Sequence, residues 1–277
     1  MTAPCPPSFP GTSHAADTTA AAITVSVVSH GHGSMVKHLL ARLLSFPEVA
    51  GIVLTLNIPE KIDIEENTRL SIVRNTQPKG FGENHNAAFA QSRTAFFCVL
   101  NPDIELPQNP FPALMQCLSA HPRAVAAPRI IDPQGKPEDS ARRFPTPGSI
   151  LRKILFADPG LSHVKANGGP QESDWLAGMF LLFPGEVFTA LDGFDESYFL
   201  YYEDVDLCAR AWLAGYPALW VPATCAVHEA RRASRRKLRH FLWHAASMLR
   251  YFARWYLNGR LQRLQTLRDA PERDGNR

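Results

Sequence analysis

Residues 23–33 read ITVSVVSHGHG, and this stretch indicates the class of fold. Its first seven residues are rich in Ile, Val and Thr, which favour a β-strand, and the two glycines then mark a loop. After the loop, apolar side chains recur at helical spacing from Met35 to Leu44. The stretch therefore predicts a strand, a glycine loop and a helix in succession.

The same order repeats further along the chain. Apolar runs at 51–56, 70–73 and 95–100 predict three more strands, and each ends in polar residues. Residues 80–90 read as a loop that enters a helix. Strands that alternate with helices predict an α/β fold with a mostly parallel central sheet flanked by helices, and with ligands at the carboxyl ends of the strands.

The second half of the chain is less regular. Residues 128–169 contain Pro, Gly and the basic pair Arg142-Arg143, which suggests a long loop region over the site. Beyond it we predict a strand at 175–183, helices at about 187–191 and 204–214, and a strand at 218–221. We predict a disordered leader at 1–22, a catalytic domain at 23–229, and a basic amphipathic helical tail at 230–277. Within the domain, a nucleotide-binding half spans about 23–127 and an acceptor half about 128–229.

Composition excludes several classes of protein. Of the 277 residues, 45% are hydrophobic and 20% are charged, which is typical of a globular protein and not of a disordered one. No apolar run is long enough to cross a bilayer. The five cysteines are scattered without CxxC spacing, so we interpret them as reduced core residues. Because we also find no signal-peptide pattern, we expect a cytoplasmic location.

Charge is divided unevenly along the chain. Residues 230–277 hold 13 Lys and Arg against 3 Asp and Glu, whereas residues 1–229 hold 16 against 23. The acidic body argues against nucleic acid as a partner, and the basic tail suggests an anionic surface. In residues 231–263, basic and aromatic side chains interleave without an acidic residue. This pattern is typical of a helix in an anionic membrane interface, although the same stripe would also suit packing on the catalytic domain.

Two acidic centres are candidates for chemistry. Asp103 follows a strand and Pro102, at the mouth of the predicted sheet, where a carboxylate can hold Mg²⁺ or Mn²⁺, although Asp is also common in turns. The segment 202–206, Tyr-Glu-Asp-Val-Asp, lies among aromatic residues. Partial desolvation would raise a carboxyl pKa there toward a value that suits a general base, whereas helix capping is the structural alternative.

The order of these motifs resembles that of the family 2 glycosyltransferases, and of their rhamnosyltransferase-like branch in particular. The resemblance covers residues 23 to about 236 and rests on several ordered segments. These are residues 80–86 (GFGENHN), 100–103 (LNPD), 175–178 (WLAG), 193–196 (GFDE), 203–207 (EDVDL) with Arg210, 214–216 (AGY), and His228 after Val221-Pro222.

The resemblance implies a GT-A (nucleotide-diphospho-sugar transferase) fold and an inverting transfer of a sugar to an acceptor hydroxyl. Asp204 matches the catalytic base, with Glu203 beside it. Asp103 would hold the divalent cation, with His228 as a further ligand or as a contact of the diphosphate. The donor, which the resemblance to this branch suggests is dTDP-rhamnose, would meet Ser29, His30, Asn57, Gly80, Phe81, Gly82, Asn84, Asn86, Asn101 and Asp103. The acceptor side would comprise Trp175, Gly178, Asp206 and Arg210, the last two chiefly as structural residues, and the acceptor would be a saccharide or a lipid-linked glycan.

Two stretches depart from the family pattern. Members usually carry an Asp-Asn-x-Ser segment after the second strand, where this chain has Leu54-Thr55-Leu56-Asn57-Ile58-Pro59. Many relatives continue the late histidine with His and Gly, where this chain has Glu229-Ala230-Arg231. The alternatives to a sugar transferase are a nucleotidyltransferase, whose basic phosphate loop is absent at residues 29–33, and a non-catalytic nucleotide-sugar-binding protein.

Overall fold

The computed structural model describes residues 22–156, 168–228, 238–257, 259–260 and 263. Residues 1–21 of the leader predicted at 1–22, and parts of the predicted tail, lie outside the described residues. The strands are β1 Ile23–Ser29, β2 Val49–Leu56, β3 Leu70–Arg74, β4 Phe96–Leu100, β5 Ile104–Glu105, β6 Val125–Ile131, β7 Ala141–Arg142, β8 Gln171–Ser173, β9 Trp175–Leu176, β10 Phe180–Pro184 and β11 Ala218–His228. The helices are α1 Ser34–Leu44, α2 Phe81–Phe89, α3 Phe111–Ala120, α4 Pro147–Phe156, α5 Gly185–Ala190, α6 Glu203–Leu213 and α7 Leu238–Trp255.

The central sheet has the strand order β3-β2-β1-β4-β10-β6-β11-β5, with β8 paired to β11. Strands β3, β2, β1 and β4 are parallel, as the sequence predicts, and β6 is parallel to β11. Strand β10 runs antiparallel to both β4 and β6. The carboxyl end of β4 therefore meets the amino end of β10, and loops from both halves of the chain converge there.

The two faces of the sheet belong to two hydrophobic cores. In β4, Phe97 and Val99 point into one core and Cys98 and Leu100 into the other, because side chains alternate along a strand. Helices α1 and α3 cover the second core, and helices α2, α5, α6 and α7 contribute side chains to the first. This arrangement confirms an α/β sheet flanked by helices.

The structure differs from the prediction in the part of the chain from residue 128 onward. The strand predicted at 175–183 is interrupted at residues 177–179, between β9 and β10, where backbone groups bind other loops. The stretch predicted as irregular begins within β6 and contains α4. Pro128 is tolerated inside β6 because it lies opposite Val221, at the point where the pairing with β11 shifts register.

Cysteine chemistry follows the prediction in part. Cys98, Cys117 and Cys208 are free and buried. Cys225 is disulfide-bonded, so the interpretation of a reduced core residue was wrong for it, while Cys5 lies outside the described residues. None of the helices in the described part of the chain combines the length and the apolar character that crossing a membrane requires.

Candidate functional site

A network of asparagine side chains lies at the carboxyl ends of β1, β2 and β3. The Asn75 amide donates to Oδ1 of Asn57 at 2.8 Å and to Oδ1 of Asn84 at 2.7 Å. Asn57 Oδ1 also accepts from the backbone N–H of Lys79 at 2.8 Å, and Asn57 Nδ2 lies 3.4 Å from His30 Nδ1. The network joins the predicted donor residues into one wall, because it fixes the loop before α2 to the strand ends.

The remaining predicted donor residues are divided between this wall and the protein core. Ser29 ends β1 and accepts, through its hydroxyl, from the backbone N–H of His32. Gly80 and Gly82 allow close packing, since a Cβ on Gly82 would lie 2.6 Å from the Cβ of Phe194. Asn86 points to the same segment: its amide donates to the Phe194 carbonyl and its oxygen accepts from the Phe194 N–H, both at 2.9 Å. The structure therefore places Asn86 apart from the other asparagines.

Phe81 lies at the first turn of α2, where its N–H donates to the Phe199 carbonyl at 2.9 Å. Its ring packs edge-on against His85 and Phe194. The ring also lies 3.4 Å from the point that a Cβ atom on Gly178 would occupy. Phe81 thus connects the donor wall with the loop that carries the second acidic centre.

The first acidic centre is a carboxylate–histidine–carboxylate array. Pairing of β5 with β11 sets His228 opposite Ile104, and the ring Nε2 then lies 3.4 Å from Asp103 Oδ2, while Nδ1 lies 2.6 Å from Glu138. Burial lowers the pKa of His228, but hydrogen bonds to Asp103 and Glu138 outweigh burial and raise that pKa to about 9. The imidazole is therefore positively charged at neutral pH.

The second acidic centre is the pair Glu203 and Asp204 at the start of α6. Burial and the neighbouring Asp204 charge raise the pKa of Glu203 well above its usual range, and Glu203 Oε2 is buried without a hydrogen-bond partner. Burial also raises the pKa of Asp204, but hydrogen bonds from the backbone N–H groups of Gly178 (2.9 Å) and Val205 (2.8 Å) and the charge of Arg142 oppose the rise. The environments thus divide the pair, with the proton on Glu203 and the charge on Asp204.

The two acidic centres are joined through the interruption between β9 and β10. Gly178 donates its N–H to Asp204, and the carbonyl of Met179 accepts from the N–H of Asn101, two residues before Asp103, at 2.9 Å. Two consecutive residues therefore connect both centres. This connection explains why the predicted strand breaks here.

Side chains from the irregular segment complete the site. The guanidinium of Arg142 lies 5.3 Å from the Trp175 ring centroid, and Trp175 donates its indole N–H to the Arg143 carbonyl at 3.0 Å. Glu138 contacts His228 at the first acidic centre, whereas the charge of Arg142, four residues later, acts on Asp204 at the second. The sequence identifies Arg142 only as part of a basic pair and Asn75 only as a polar residue after a strand, and Glu138 was missed, because no spacing pattern ties Arg142 or Glu138 to the strand ends.

Asp206 and Arg210 form a cluster of hydrogen bonds on α6, the helix that begins with Glu203 and Asp204. Asp206 is fully buried and accepts from Arg210 Nε and from the indole N–H of Trp255, each at 2.8 Å. Arg210 also donates to the carbonyls of Leu191 and Gly193. The cluster fixes α6 to its neighbours, and Trp255 brings α7 into it.

The turn before the pair has an unusual backbone. Tyr201 and Tyr202 have φ values of 72° and 67°, in the left-handed region that non-glycine residues seldom adopt. Helix α7 supports this turn: Ser247 donates its hydroxyl to the Leu200 carbonyl at 2.9 Å, and the Tyr201 hydroxyl lies 3.1 Å from His240 Nδ1. The strained turn sets the direction in which Glu203 and Asp204 leave the loop.

The donor atoms at the first centre fit a divalent cation in part. Asp103 Oδ1 is buried and has no hydrogen-bond partner, as expected for a carboxylate oxygen left for another ligand. Within the described ranges, however, no group of three or more His, Cys, Asp and Glu side chains is arranged to hold a metal ion. Mg²⁺ and Mn²⁺ need few protein ligands when substrate phosphates and water supply the others, so the carboxylate of Asp103 suits such a site.

Comparison with known proteins adds independent findings. The family model described as Glycosyl transferase family 2 matches residues 55–168. The chain is 29% identical over 252 residues to rhamnosyltransferase WbbL of Escherichia coli K12, covering 84% of this chain and 93% of that protein. It is 33% identical over 187 residues to an N-acetylglucosaminyl-diphospho-decaprenol L-rhamnosyltransferase of Mycobacterium tuberculosis, covering 59% of this chain and 60% of that protein.

A solved structure shares the fold. The crystal structure of GalNAc-T7 with UDP, GalNAc and Mn²⁺ superposes with a TM-score of 0.58 at 18% identity, over 76% of this chain and 44% of that one. The chain therefore spans less than half of this structural neighbour and about three fifths of the mycobacterial relative.

Proposed function

We propose that this chain, whose residues 55–168 match the glycosyl transferase family 2 model, is a glycosyltransferase of the GT-A fold that transfers L-rhamnose from dTDP-rhamnose to an acceptor hydroxyl with inversion. Two relatives named as rhamnosyltransferases support the sugar. The donor diphosphate lies between the asparagine wall and Asp103, and the acceptor enters on the side of Trp175 and Gly178.

The proposal rests on the different environments of two neighbouring carboxyl groups, those of Glu203 and Asp204. Asp204 is the general base: its carboxylate takes the proton of the acceptor hydroxyl, whose oxygen forms a bond to the anomeric carbon from the face opposite the leaving group. The bond from that carbon to the diphosphate breaks, and its electron pair stays on the diphosphate oxygen. A raised pKa makes Asp204 a stronger base than an exposed carboxylate, and the two backbone N–H groups hold it in one orientation.

Glu203 keeps its proton and shapes the acceptor side as a neutral hydrogen-bonding group. At the other centre, Asp103 would hold Mg²⁺ or Mn²⁺, which supplies positive charge to the departing diphosphate, while His228, whose two ring nitrogens both face carboxylates, would contact the diphosphate. The protonated ring of His228 places a further positive charge beside that position. Glu138 orients this ring through Nδ1.

The acceptor we propose is a saccharide carried on a membrane lipid, in the assembly of a cell-surface polysaccharide or glycolipid at the cytoplasmic face of the membrane. The name of the mycobacterial relative specifies an acceptor linked through a diphosphate to a polyprenol, which supports this class. The basic tail supports it also, because it suits a surface of anionic lipid.

A panel of nucleotide sugars tests the proposal. The full chain is incubated with dTDP-rhamnose, UDP-glucose, UDP-N-acetylglucosamine and GDP-mannose, and nucleotide diphosphate release and donor binding are measured with and without Mn²⁺. We expect turnover and tightest binding with dTDP-rhamnose. Turnover of another donor alone would contradict the sugar assignment, and pyrophosphate release from dTTP with a sugar 1-phosphate would favour a nucleotidyltransferase.

A further inference from the structure

Helix α7 carries an apolar face directed to solvent. Among the described residues, six of the nine exposed large hydrophobic side chains lie on α7 or directly after it. They are Leu238, Phe241, Leu242, Leu249, Tyr256 and Leu257, and Leu238 and Leu249 are 74% and 66% exposed. Leu242 and Leu249 are seven residues apart, as are Leu249 and Tyr256, so these side chains align along one side of the helix. We call this side the outer face.

The opposite side of α7 is already occupied. Ser247, Tyr251 and Trp255 follow one another at intervals of four residues and are buried against the domain. An amphipathic helix that packs on a domain normally shows polar residues on its solvent side. The apolar outer face of α7 is therefore not accounted for by its packing on the domain.

Basic side chains border the outer face. Arg239 and Arg250 are exposed and lie eleven residues, or about three helical turns, apart, so both lie on the same flank. Each guanidinium lies over an aromatic ring, at 4.7 Å from Trp243 and 5.9 Å from Tyr198 respectively. Residues 231–263 contain ten basic residues and no acidic one. Apolar side chains beside a row of cations are complementary to lipid tails beneath anionic headgroups.

The outer face is continuous with the loop that leads to the carboxyl pair. Phe199 is 38% exposed, and its ring centroid lies 4.7 Å from that of Trp243 on α7. Four residues later the chain reaches Glu203, through the left-handed turn that Ser247 and His240 support. A surface bound by α7 would therefore lie beside the entrance to the acceptor side.

We propose that the outer face of α7, with Arg239 and Arg250, docks on an anionic lipid bilayer and sets the acceptor side of the site against the membrane surface. The helix lies in the plane of the interface with Leu238, Leu242 and Leu249 among the lipid chains. The consequence for catalysis, that a lipid-carried acceptor reaches Asp204 without leaving the membrane, rests on the proposed function.

The docking is tested with the full chain and vesicles. Binding to vesicles of phosphatidylglycerol and phosphatidylcholine is measured by sedimentation, for the native protein and for the double variant Leu242→Glu/Leu249→Glu. We expect the native protein to bind, and the double variant to bind at least about 100-fold more weakly, because burial of each of the two leucines contributes about 1.5 kcal/mol or more. Leu151→Glu is the matched control: Leu151 on α4 is as exposed as Leu242, at 58% against 56%, and its substitution should leave vesicle binding unchanged.

Charge is tested separately. Arg239→Ala/Arg250→Ala should weaken binding to anionic vesicles about 30-fold, since each basic residue near such a surface contributes about 1 kcal/mol, and salt should have the same effect. Absence of binding by the native protein, or equal binding by native protein and Leu242→Glu/Leu249→Glu, would overturn the proposal. So would a native dimer that the leucine substitutions convert to monomer, because the outer face would then be an interface between two copies.

The two proposals fail in different ways. Vesicle binding needs no donor, so a different sugar specificity leaves the docking result intact. Transfer to a water-soluble acceptor should be equal in the native protein and the leucine variant, whereas transfer to a vesicle-embedded acceptor should fall with binding. Loss of transfer to both acceptors would show that the substitutions disturb the site itself.

Discussion

Replacement of Trp255 by Phe tests whether α7 is part of the structure that holds the carboxyl pair. Trp255 is 1% exposed, and its indole N–H donates to Oδ1 of the fully buried Asp206 at 2.8 Å. Phe keeps an aromatic ring but removes the donor, and the nearest remaining cation at Oδ1 is Arg254 Nε at 3.6 Å. A hydrogen bond to a buried charge contributes about 1.5–3 kcal/mol. With about 0.5–1 kcal/mol more for the smaller ring, the free energy of unfolding should fall by about 2–4 kcal/mol.

The assay is urea unfolding followed by circular dichroism, with the transfer rate measured on the same samples. Trp243→Phe is the matched control, since Trp243 lies on the same helix and is only partly buried, and its substitution should cost less than about 1 kcal/mol. The transfer rate should fall in Trp255→Phe because Asp206 is two residues from Asp204. Equal losses of stability in the two variants would refute the claim that the indole–carboxylate contact joins α7 to the site.

Three further results are expected. Gly82→Ala should lower the free energy of unfolding, measured in urea, by about 1–3 kcal/mol, because the added Cβ would lie 2.6 Å from the Cβ of Phe194. Gly148→Ala is the control and should not destabilise the protein, because Gly148 has room for a methyl group. Equal stability of the two variants would contradict the packing argument. Asp103→Asn should abolish the effect of Mn²⁺ on donor affinity in calorimetry, and a Mn²⁺ effect of native size would exclude Asp103 as a metal ligand. The third result concerns Glu203→Gln. The difference in free energy of unfolding between the native protein and this variant should favour the native protein most below the ordinary glutamate pKa, and should decrease as pH rises through the raised pKa of Glu203, because ionisation of a buried carboxyl is unfavourable. A difference that does not change with pH would contradict a buried, protonated Glu203.

Strands β1 to β4 could be predicted closely because each is a continuous apolar run with a polar end, whereas β6 was not predicted and β11 was predicted only as far as Val221. The predicted β1 matches the observed strand at both ends, and the predicted position of Asp103 beyond β4 is where the structure has it. The contact between Asp103 and His228 was expected only from the family resemblance. In the structure this contact arises because β5 pairs with β11, and no local pattern in the sequence predicts that pairing.

Other parts of the site could not be predicted because they depend on contacts between distant segments. The break at Gly178 serves Asp204, which lies 26 residues further along the chain. Asn86 shares the polar character of Asn84 but binds the Phe194 backbone, 108 residues away. The sequence of the tail suits either a membrane surface or packing on the domain. Its inner face packs, and the outer face leaves the membrane hypothesis open to test.

The most direct test of the general base is the transfer rate of Asp204→Asn. The amide cannot take the acceptor proton, so we expect the rate to fall by about 10²–10⁴-fold while donor binding, measured by calorimetry, stays within about twofold of native. Asp63→Asn, an exposed carboxylate outside the site, should transfer at the native rate. A native transfer rate in Asp204→Asn would contradict the assignment of the base and with it the central claim.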